Sequence, residues 1–143
     1  MTEAKFSCEE GKGIFDTLSK HWTIIAPVEM PGRARFSGTS LVSYEQVQSF
    51  DEIEFLKKTY FSAKSVLLPI RQAMFSFRDK IEEADDRTGP AIIFLRSCDI
   101  HAVKVLDAHF LNGGGYADFY YQRLRQKVKL FLIECEKPFE NCF

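Results

Sequence analysis

The sequence lacks a long apolar run. Its uninterrupted apolar stretches fall well short of the ~18 residues that a membrane-spanning helix requires. Polar and acidic side chains also occupy the first ten residues, where a signal peptide would place apolar ones. We therefore expect a cytoplasmic protein with no membrane partner.

The sequence also lacks a surplus of charge of one sign. Lysine and arginine number 19, aspartate and glutamate number 20, and the formal net charge is −1. A dedicated nucleic-acid-binding protein has a basic surplus, so no nucleic-acid partner is expected. Hydrophobic residues make up 45% and charged residues 27%, as in globular proteins. A length of 143 residues suits a single domain.

Cysteine is too scarce for a disulfide scaffold. The four cysteines of the chain, Cys8, Cys98, Cys135 and Cys142, are expected to stay reduced. The glycine-rich signatures of dinucleotide-binding and phosphate-binding loops are absent. The glycines at 113–115 follow a predicted helix instead of opening one, so they are interpreted as the end of that helix.

The pattern of apolar residues predicts the elements of the first two thirds of the chain. Ser7 and Glu10 form a capping box for the first predicted helix. The predicted elements are a helix over 7–21, strands over 22–28, 34–37 and 40–48, a connector over 50–56, a short strand or loop over 66–68, a helix over 70–77 begun by Pro69, and a solvated loop or edge hairpin over 79–87.

The last third gives the clearest pattern. Residues 91–95 are continuously apolar, as in a strand buried on both faces. We predict helices over 100–111, capped by Asp99, and over 118–126, followed by a strand over 128–133. A strand, a helical crossover and a second strand form a βαβ unit with parallel strands. The predicted fold class is α/β or α+β: a mixed sheet with a C-terminal βαβ unit and helices packed on it, in one domain over 1–143.

Candidate chemistry follows the two strands of this unit. Ligands gather at the carboxyl ends of parallel strands, where Cys98 and Cys135 lie, and Cys142 follows seven residues after Cys135. Thiolates are suited to zinc or an iron–sulfur cluster, although both usually take four ligands and this trio leaves one missing. The alternative is that Cys98 and Cys135 are small buried hydrophobic residues at strand ends.

The other candidates carry weaker signals. His101 and His109 are too far apart on one helix to share a metal, and a nucleophilic pair of a histidine with Cys98 would lack a third, orienting residue. His21 has no evident partner. Arg71 and Arg96 lie beside apolar segments and are expected to form structural ion pairs, with anion binding as the less favoured alternative. A basic run is interpreted as a solvated face, or else as a docking patch for an acidic partner: Arg123, Arg125, Lys127, Lys129.

Three segments together resemble a known family. Residues 94–107, 118–125 and 132–143 closely resemble the amino-terminal domain of the iron–sulfur electron-transfer subunit of anaerobic sulfite reductase, and more loosely the beta subunits of sulfhydrogenases. Upstream, residues 22–28, 35–37 and 67–77 extend the resemblance over nearly the whole chain. Members of this family are longer and continue into a ferredoxin-like region with cysteine runs that bind [4Fe–4S] clusters. Because those runs are absent here, we expect a fragment or truncated member that is inactive alone.

The resemblance implies a role in sulfur metabolism under anaerobic conditions. The subunit would pass electrons from a flavoprotein subunit that uses NADH to a sirohaem subunit that reduces sulfite to sulfide. Cys98, Cys135 and Cys142 are the possible iron–sulfur ligands, and in this fragment we expect no bound cluster. Two alternatives stay open: a docking domain that binds no cofactor, and the beta subunit of a sulfhydrogenase-type complex.

Overall fold

The structure is a computed structural model of the chain, and it describes residues 7–36, 38–77, 79–83, 89–135, 137–139 and 142. Ten elements form its frame: α1 (Cys8–Ser19), β1 (Thr23–Met30), β2 (Leu41–Gln46), α2 (Lys64–Leu67), β3 (Phe75–Phe77), β4 (Ile81–Glu83), β5 (Ala91–Arg96), α3 (Ser97–Asn112), α4 (Phe119–Lys127) and β6 (Val128–Ile133). No helix within these ranges is long and apolar enough to cross a membrane.

The principal sheet has four strands in the order β2-β1-β5-β6. The strand β2 runs antiparallel to β1, whereas β1, β5 and β6 run parallel. The sheet is therefore mixed, and the predicted βαβ unit is confirmed, with β5 and β6 as direct neighbours joined by α3 and α4. The hairpin of β3 and β4 forms a separate small sheet.

Both faces of the sheet carry apolar layers, because all six residues of β5 are buried. Ile93 and Leu95 lie in one core, which also contains residues of α2, α3 and α4. Ile92 and Phe94 alternate with them into a second core, beneath α1 and the connector after β2. The strand predicted from the continuous apolar run is therefore confirmed, together with its burial on both faces.

Helix boundaries agree closely with the sequence at three places. Ser7 caps α1, and the reciprocal bond with Glu10 completes the predicted capping box. Gly114 and Gly115 follow α3 with φ of 70° and 83°, which glycine adopts without steric cost. Asp118 accepts a hydrogen bond from the backbone N–H of Tyr121 at 2.8 Å and so begins α4.

Two predictions, for segments 34–37 and 66–68 that connect strands of the principal sheet, are wrong. The segment predicted as a strand over 34–37 bends through residues 34–36, and residue 37 lies outside the described residues. The partner of β1 is instead β2, which uses the register from Ile25 with Gln46 to Met30 with Leu41. The segment 66–68, predicted as a short strand or loop, instead belongs to the single helical turn α2 and its C-terminal end. Leu67 of this turn is buried in the core, with 1% exposure.

The predicted helix over 70–77 is also wrong. Residues 70–74 are irregular and Phe75–Phe77 is a strand that pairs with Ile81–Glu83. A helix there would gain nothing from packing, since Ile70 is 96% exposed and no residue of 70–77 is buried. Within the segment predicted as a solvated loop or edge hairpin over 79–87, Ile81–Glu83 is one strand of a hairpin, but its partner strand is Phe75–Phe77, outside the predicted range. Residues 84–87 lie outside the described residues.

A polar network fastens α4 to α3. The hydroxyl of Tyr121 donates to the Asp107 carboxylate at 2.7 Å, and Nε of Arg125 donates to the same carboxylate at 3.0 Å. The ring of Tyr121 is 2% exposed and stacks on Phe110 with ring centroids 4.9 Å apart. The carboxylate therefore satisfies a buried hydroxyl and a cation while the rings bury apolar surface.

Replacing Tyr121 by phenylalanine keeps the ring stack and removes one hydrogen bond to a carboxylate. We expect Tyr121→Phe to lower the free energy of unfolding by about 1–2 kcal/mol. Urea denaturation followed by circular dichroism measures the change. Tyr120→Phe, at the preceding position of α4, serves as the control and should change stability by less than about 0.5 kcal/mol. Equal losses in the two variants would mean that the Asp107 bond contributes nothing specific.

Candidate cysteine-lined site

The register of β5 and β6 brings two cysteines to the same edge of the sheet. Arg96 at the end of β5 is paired with Ile133 at the end of β6. Cys98 and Cys135 each follow two residues later, beyond strands that lie about 4.8 Å apart. Beyond that edge α3 begins at Ser97, whereas Glu134 and Cys135 have no regular secondary structure.

The two cysteines line different cavities. A cavity of about 200 Å³ is lined by Cys98 and Cys142 together with Arg96, Asp99 and Phe139. Cys135 lines a neighbouring cavity of about 530 Å³, and Phe139 contributes to both. The backbone N–H of Cys142 donates a hydrogen bond to the carbonyl of Phe139 at 3.0 Å, and both residues line the smaller cavity.

The thiols are accessible to added ligands. Cys98, Cys135 and Cys142 are free and exposed. The alternative interpretation of Cys98 and Cys135 as buried hydrophobic residues therefore does not describe them. In the arrangement shown, no three His, Cys, Asp or Glu side chains of the described residues lie close enough together to hold a metal ion.

Asp99 has a different role from the one predicted. The helix α3 begins at Ser97, with Arg96 in the capping position and no side-chain capping bond, so Asp99 already lies within the first turn. Its carboxylate instead accepts a hydrogen bond from the Tyr44 hydroxyl at 2.7 Å. The tertiary contact competes successfully because Tyr44 is buried and its hydroxyl needs an acceptor.

Tyr44 is a site residue that the sequence patterns did not predict. Burial, followed by the hydrogen bond from its hydroxyl to the Asp99 carboxylate, raises the pKa of Tyr44 well above its usual value of 10.0. Along β2 buried residues alternate with less buried ones, and the two buried residues are Val42 and Tyr44. This alternation could have indicated a buried tyrosine, although the sequence does not reveal which acceptor it meets.

Arg96 was expected to form an ion pair, and this expectation is wrong for the residues described. The residue is only 3% exposed, yet its guanidinium meets no carboxylate among them. Its Nη2 donates to the carbonyls of Phe55 at 3.2 Å and Lys57 at 2.6 Å. The guanidinium carbon lies 4.6 Å from the centroid of the Phe139 ring. Arg96 thus joins β5, the connector and the wall of the smaller cavity.

The remaining candidates are dispersed. His21, His101 and His109 are all exposed, and the ring of His109 contacts that of Phe110. Within the basic run, Arg123 pairs with Glu83 of the hairpin and Arg125 with Asp107. At least these two cations therefore have structural partners within the chain.

An apolar groove lies on the α1 face of the sheet. It has a volume of about 480 Å³ and is lined by α1, the connector and β6, with Phe94 and Phe131 among the lining residues. The rings of Phe94 and Phe131 stack with centroids 4.5 Å apart. Phe131 and Leu132 are both exposed on β6, which is the last strand of the described sheet. Exposed apolar surface beside an open strand edge is typical of an interaction surface.

Comparison with known proteins gives one informative similarity. The chain is 30% identical over 145 residues to sulfhydrogenase 2 subunit beta of Pyrococcus furiosus, and the match covers the whole chain. The chain spans 40% of the length of that relative. No family model and no solved structure matches the chain. The chain is thus similar, over its whole length, to part of a sulfhydrogenase beta subunit.

The raised pKa of Tyr44 makes stability depend on alkaline pH. In the unfolded chain the phenol loses its proton near pH 10, whereas in the folded chain it keeps the proton. The unfolded state therefore binds fewer protons above pH 10, and the contribution of Tyr44 to stability, full below pH 10, declines as the pH rises.

Tyr44→Phe tests this linkage. We expect the variant to lose about 1–3 kcal/mol at neutral pH, because Asp99 loses its donor. Between about pH 10 and pH 11 its stability should fall less steeply than that of the unmodified chain. Urea denaturation across this range measures both quantities. The control is Tyr116→Phe at an exposed position, which should reproduce the original slope. Parallel slopes for Tyr44→Phe and the unmodified chain would contradict the assignment.

Proposed function

We propose that the chain is the amino-terminal part of an electron-transfer subunit of a multi-subunit oxidoreductase. The observation that carries this proposal is the similarity to sulfhydrogenase 2 subunit beta, which extends over the full length of the chain. A subunit of this kind works by docking between partners and conducting electrons, and it needs no acid, base or nucleophile of its own.

The finer proposal concerns the complex to which the subunit belongs. The motifs within 94–107, 118–125 and 132–143 favour anaerobic sulfite reductase, in which electrons would pass from a flavoprotein subunit to a sirohaem subunit. The named relative favours a sulfhydrogenase-type complex instead. Both assignments give this chain the same task, and they differ in the subunit that receives the electrons.

The cofactor proposed for the site is an iron–sulfur cluster. Its protein ligands would be Cys98, Cys135 and Cys142, with a fourth ligand from outside the described residues. Thiolate is the usual protein ligand of such clusters, and Cys98 and Cys142 already line one cavity. Cys135 lines the neighbouring cavity, which shares Phe139 with the first, so Cys135 would have to shift relative to Cys98 and Cys142 for all three to bind one cluster. When bound, the cluster would accept and release single electrons.

The apolar groove between α1 and β6 supports the proposed role as a subunit. Its lining is formed almost entirely by apolar side chains, and Ile14 and Phe131 are exposed at its rim. Such a surface is unfavourable in water and becomes favourable when a partner covers it. We therefore place one partner contact on the α1 face. The groove shares Phe55 and Glu134 with the cavity that Cys135 lines, and it shares no lining residue with the smaller cavity.

The proposed ligands are tested by anaerobic reconstitution of the full chain with iron and sulfide. The chain purified in air is expected to hold no cluster, whereas excess iron and sulfide without oxygen should load it. We expect most of that iron to be lost in Cys98→Ser, Cys135→Ser and Cys142→Ser, because serine replaces a soft ligand with a hard one. Iron and acid-labile sulfide analysis measures the change. Cys8→Ser is the control and should retain the iron. If all four variants bind as much iron as the unmodified chain, these cysteines are not the ligands.

A second expectation concerns activity. The chain alone should produce no sulfide from sulfite with NADH or reduced dyes, because the proposal assigns the flavin and the sirohaem to other subunits. A sulfide assay on the reconstituted chain checks this expectation. Sulfide formation that persists after removal of contaminating proteins would show that the chain is itself a catalyst, contrary to the proposed role.

A further inference from the structure

The smaller cavity contains an unusual cation. The Arg96 side chain is buried, and among the described residues it has hydrogen bonds to two backbone carbonyls and a contact with the ring face of Phe139. Carbonyl oxygens and an aromatic ring carry only partial negative charge. Buried charges in proteins are ordinarily paired with an opposite full charge, because removal from water is costly.

The donors of Arg96 are also incompletely used. A guanidinium offers five N–H donors, and the bonds found among the described residues come from Nη2 alone. Its Nε is buried and has no hydrogen-bond partner among those residues. An unsatisfied buried donor costs about 1–3 kcal/mol, so this arrangement favours an additional acceptor close to the guanidinium.

A second feature of the same cavity also favours negative charge. The helix α3 has 16 residues and begins directly after Arg96, with no side chain capping its first N–H groups. Cys98 and Asp99, which belong to its first turn, line the cavity. The aligned peptide dipoles place partial positive charge at this helix end, and the unpaired N–H groups are donors to an anion.

The carboxylate of Asp99 does not fill this role. It accepts the hydroxyl of Tyr44 at 2.7 Å, and among the described residues it forms no ion pair with Arg96. Lys58 also lines the cavity and adds a second basic residue to the wall. Two basic side chains and one acidic side chain therefore line this cavity.

From these contacts we infer that the cavity is a binding site for a small inorganic oxyanion, such as phosphate or sulfate. The anion would accept hydrogen bonds from the guanidinium of Arg96 and from the first N–H groups of α3. A volume of about 200 Å³ admits a five-atom oxyanion and is below the ~300–1,000 Å³ typical of pockets for larger organic ligands. The inference is independent of the proposed function, because Arg96 and α3 are present whether or not the thiols bind iron.

The anion and an iron–sulfur cluster would exclude each other. Cys98 and Cys142 line the same cavity as Arg96, so thiolate ligation of a cluster there would occupy the space of the oxyanion. A bound oxyanion would therefore compete with reconstitution. Competition between the oxyanion and the cluster can therefore be measured, and either proposal can be wrong while the other is right.

The test is a nuclear magnetic resonance titration of the full ¹⁵N-labelled chain under reducing conditions. Sodium sulfate is added at constant ionic strength maintained with chloride, and the experiment is repeated with inorganic phosphate. We expect saturable shifts of the Arg96 Nε–H and of the backbone N–H groups of Cys98 and Asp99, with one common dissociation constant of about 1 mM or tighter. Absence of saturable shifts at these three groups would overturn the inference.

Three variants assign the binding to its groups. Arg96→Gln should weaken sulfate binding at least about tenfold, the loss of ~1.4 kcal/mol expected for one charged hydrogen bond. Arg96→Lys should retain part of it, and the exposed Arg71→Gln should leave it unchanged. Unaltered affinity in Arg96→Gln would overturn the inference. If Arg96→Gln does not fold, the titration of the unmodified chain still decides.

Cys135→Ser, at a proposed iron ligand that does not line the smaller cavity, separates this inference from the proposed function. We expect the variant to keep its affinity for sulfate and to lose bound iron. Sulfate binding without any iron uptake by the unmodified chain would support the oxyanion site and contradict the proposed ligands. Iron uptake without sulfate binding, and with no slowing of reconstitution by sulfate, would support the ligands and overturn the oxyanion site.

Discussion

Every layer of the described fold is organised around β5, which is buried on both faces. Ile93 and Leu95 belong to one core and Ile92 and Phe94 to the other, so the strand needs a layer of structure on each side. Its backbone groups are satisfied by parallel partners on both edges, β1 and β6. Helices α3 and α4 cover one face while they connect the strands, and α1 with the connector covers the other.

The same strand also determines the chemistry at its carboxyl end. Its alternation places Arg96 on the α1 face, where its side chain reaches the carbonyls of the connector and the ring of Phe139. The chain then turns directly into α3, so the helix end, Cys98 and the guanidinium line a single cavity. The buried Arg96 therefore lies beside exposed thiols, because β5 ends where α3 begins.

Two exposed apolar surfaces fit the proposed role of the chain as a subunit. The groove beside β6 exposes Phe131, which stacks on the buried Phe94, at the last strand of the described sheet, and the hairpin of β3 and β4 exposes Phe77 and Ile81. In the proposed role as a subunit, partners would cover the groove and the hairpin surface, and apolar surface of this kind is typical of protein interaction sites. The groove shares Phe55 and Glu134 with the cavity that Cys135 lines, so a partner bound in the groove would lie beside that cavity.

Local patterns in the amino-acid sequence were sufficient to predict the elements that depend on neighbouring residues. The apolar run of β5, the capping box at Ser7 and the glycines after α3 are of this kind, and their predictions were confirmed. The segment 70–77 was mispredicted because its helical pattern finds no core to cover.

The contacts of Asp99 and Arg96 could be established only from the folded chain. Asp99 accepts the hydroxyl of Tyr44, 55 residues away in the sequence, and Arg96 is buried without a carboxylate among the described residues. Such pairings depend on which strands become neighbours, and a hydrogen bond across the fold leaves no periodicity in the sequence.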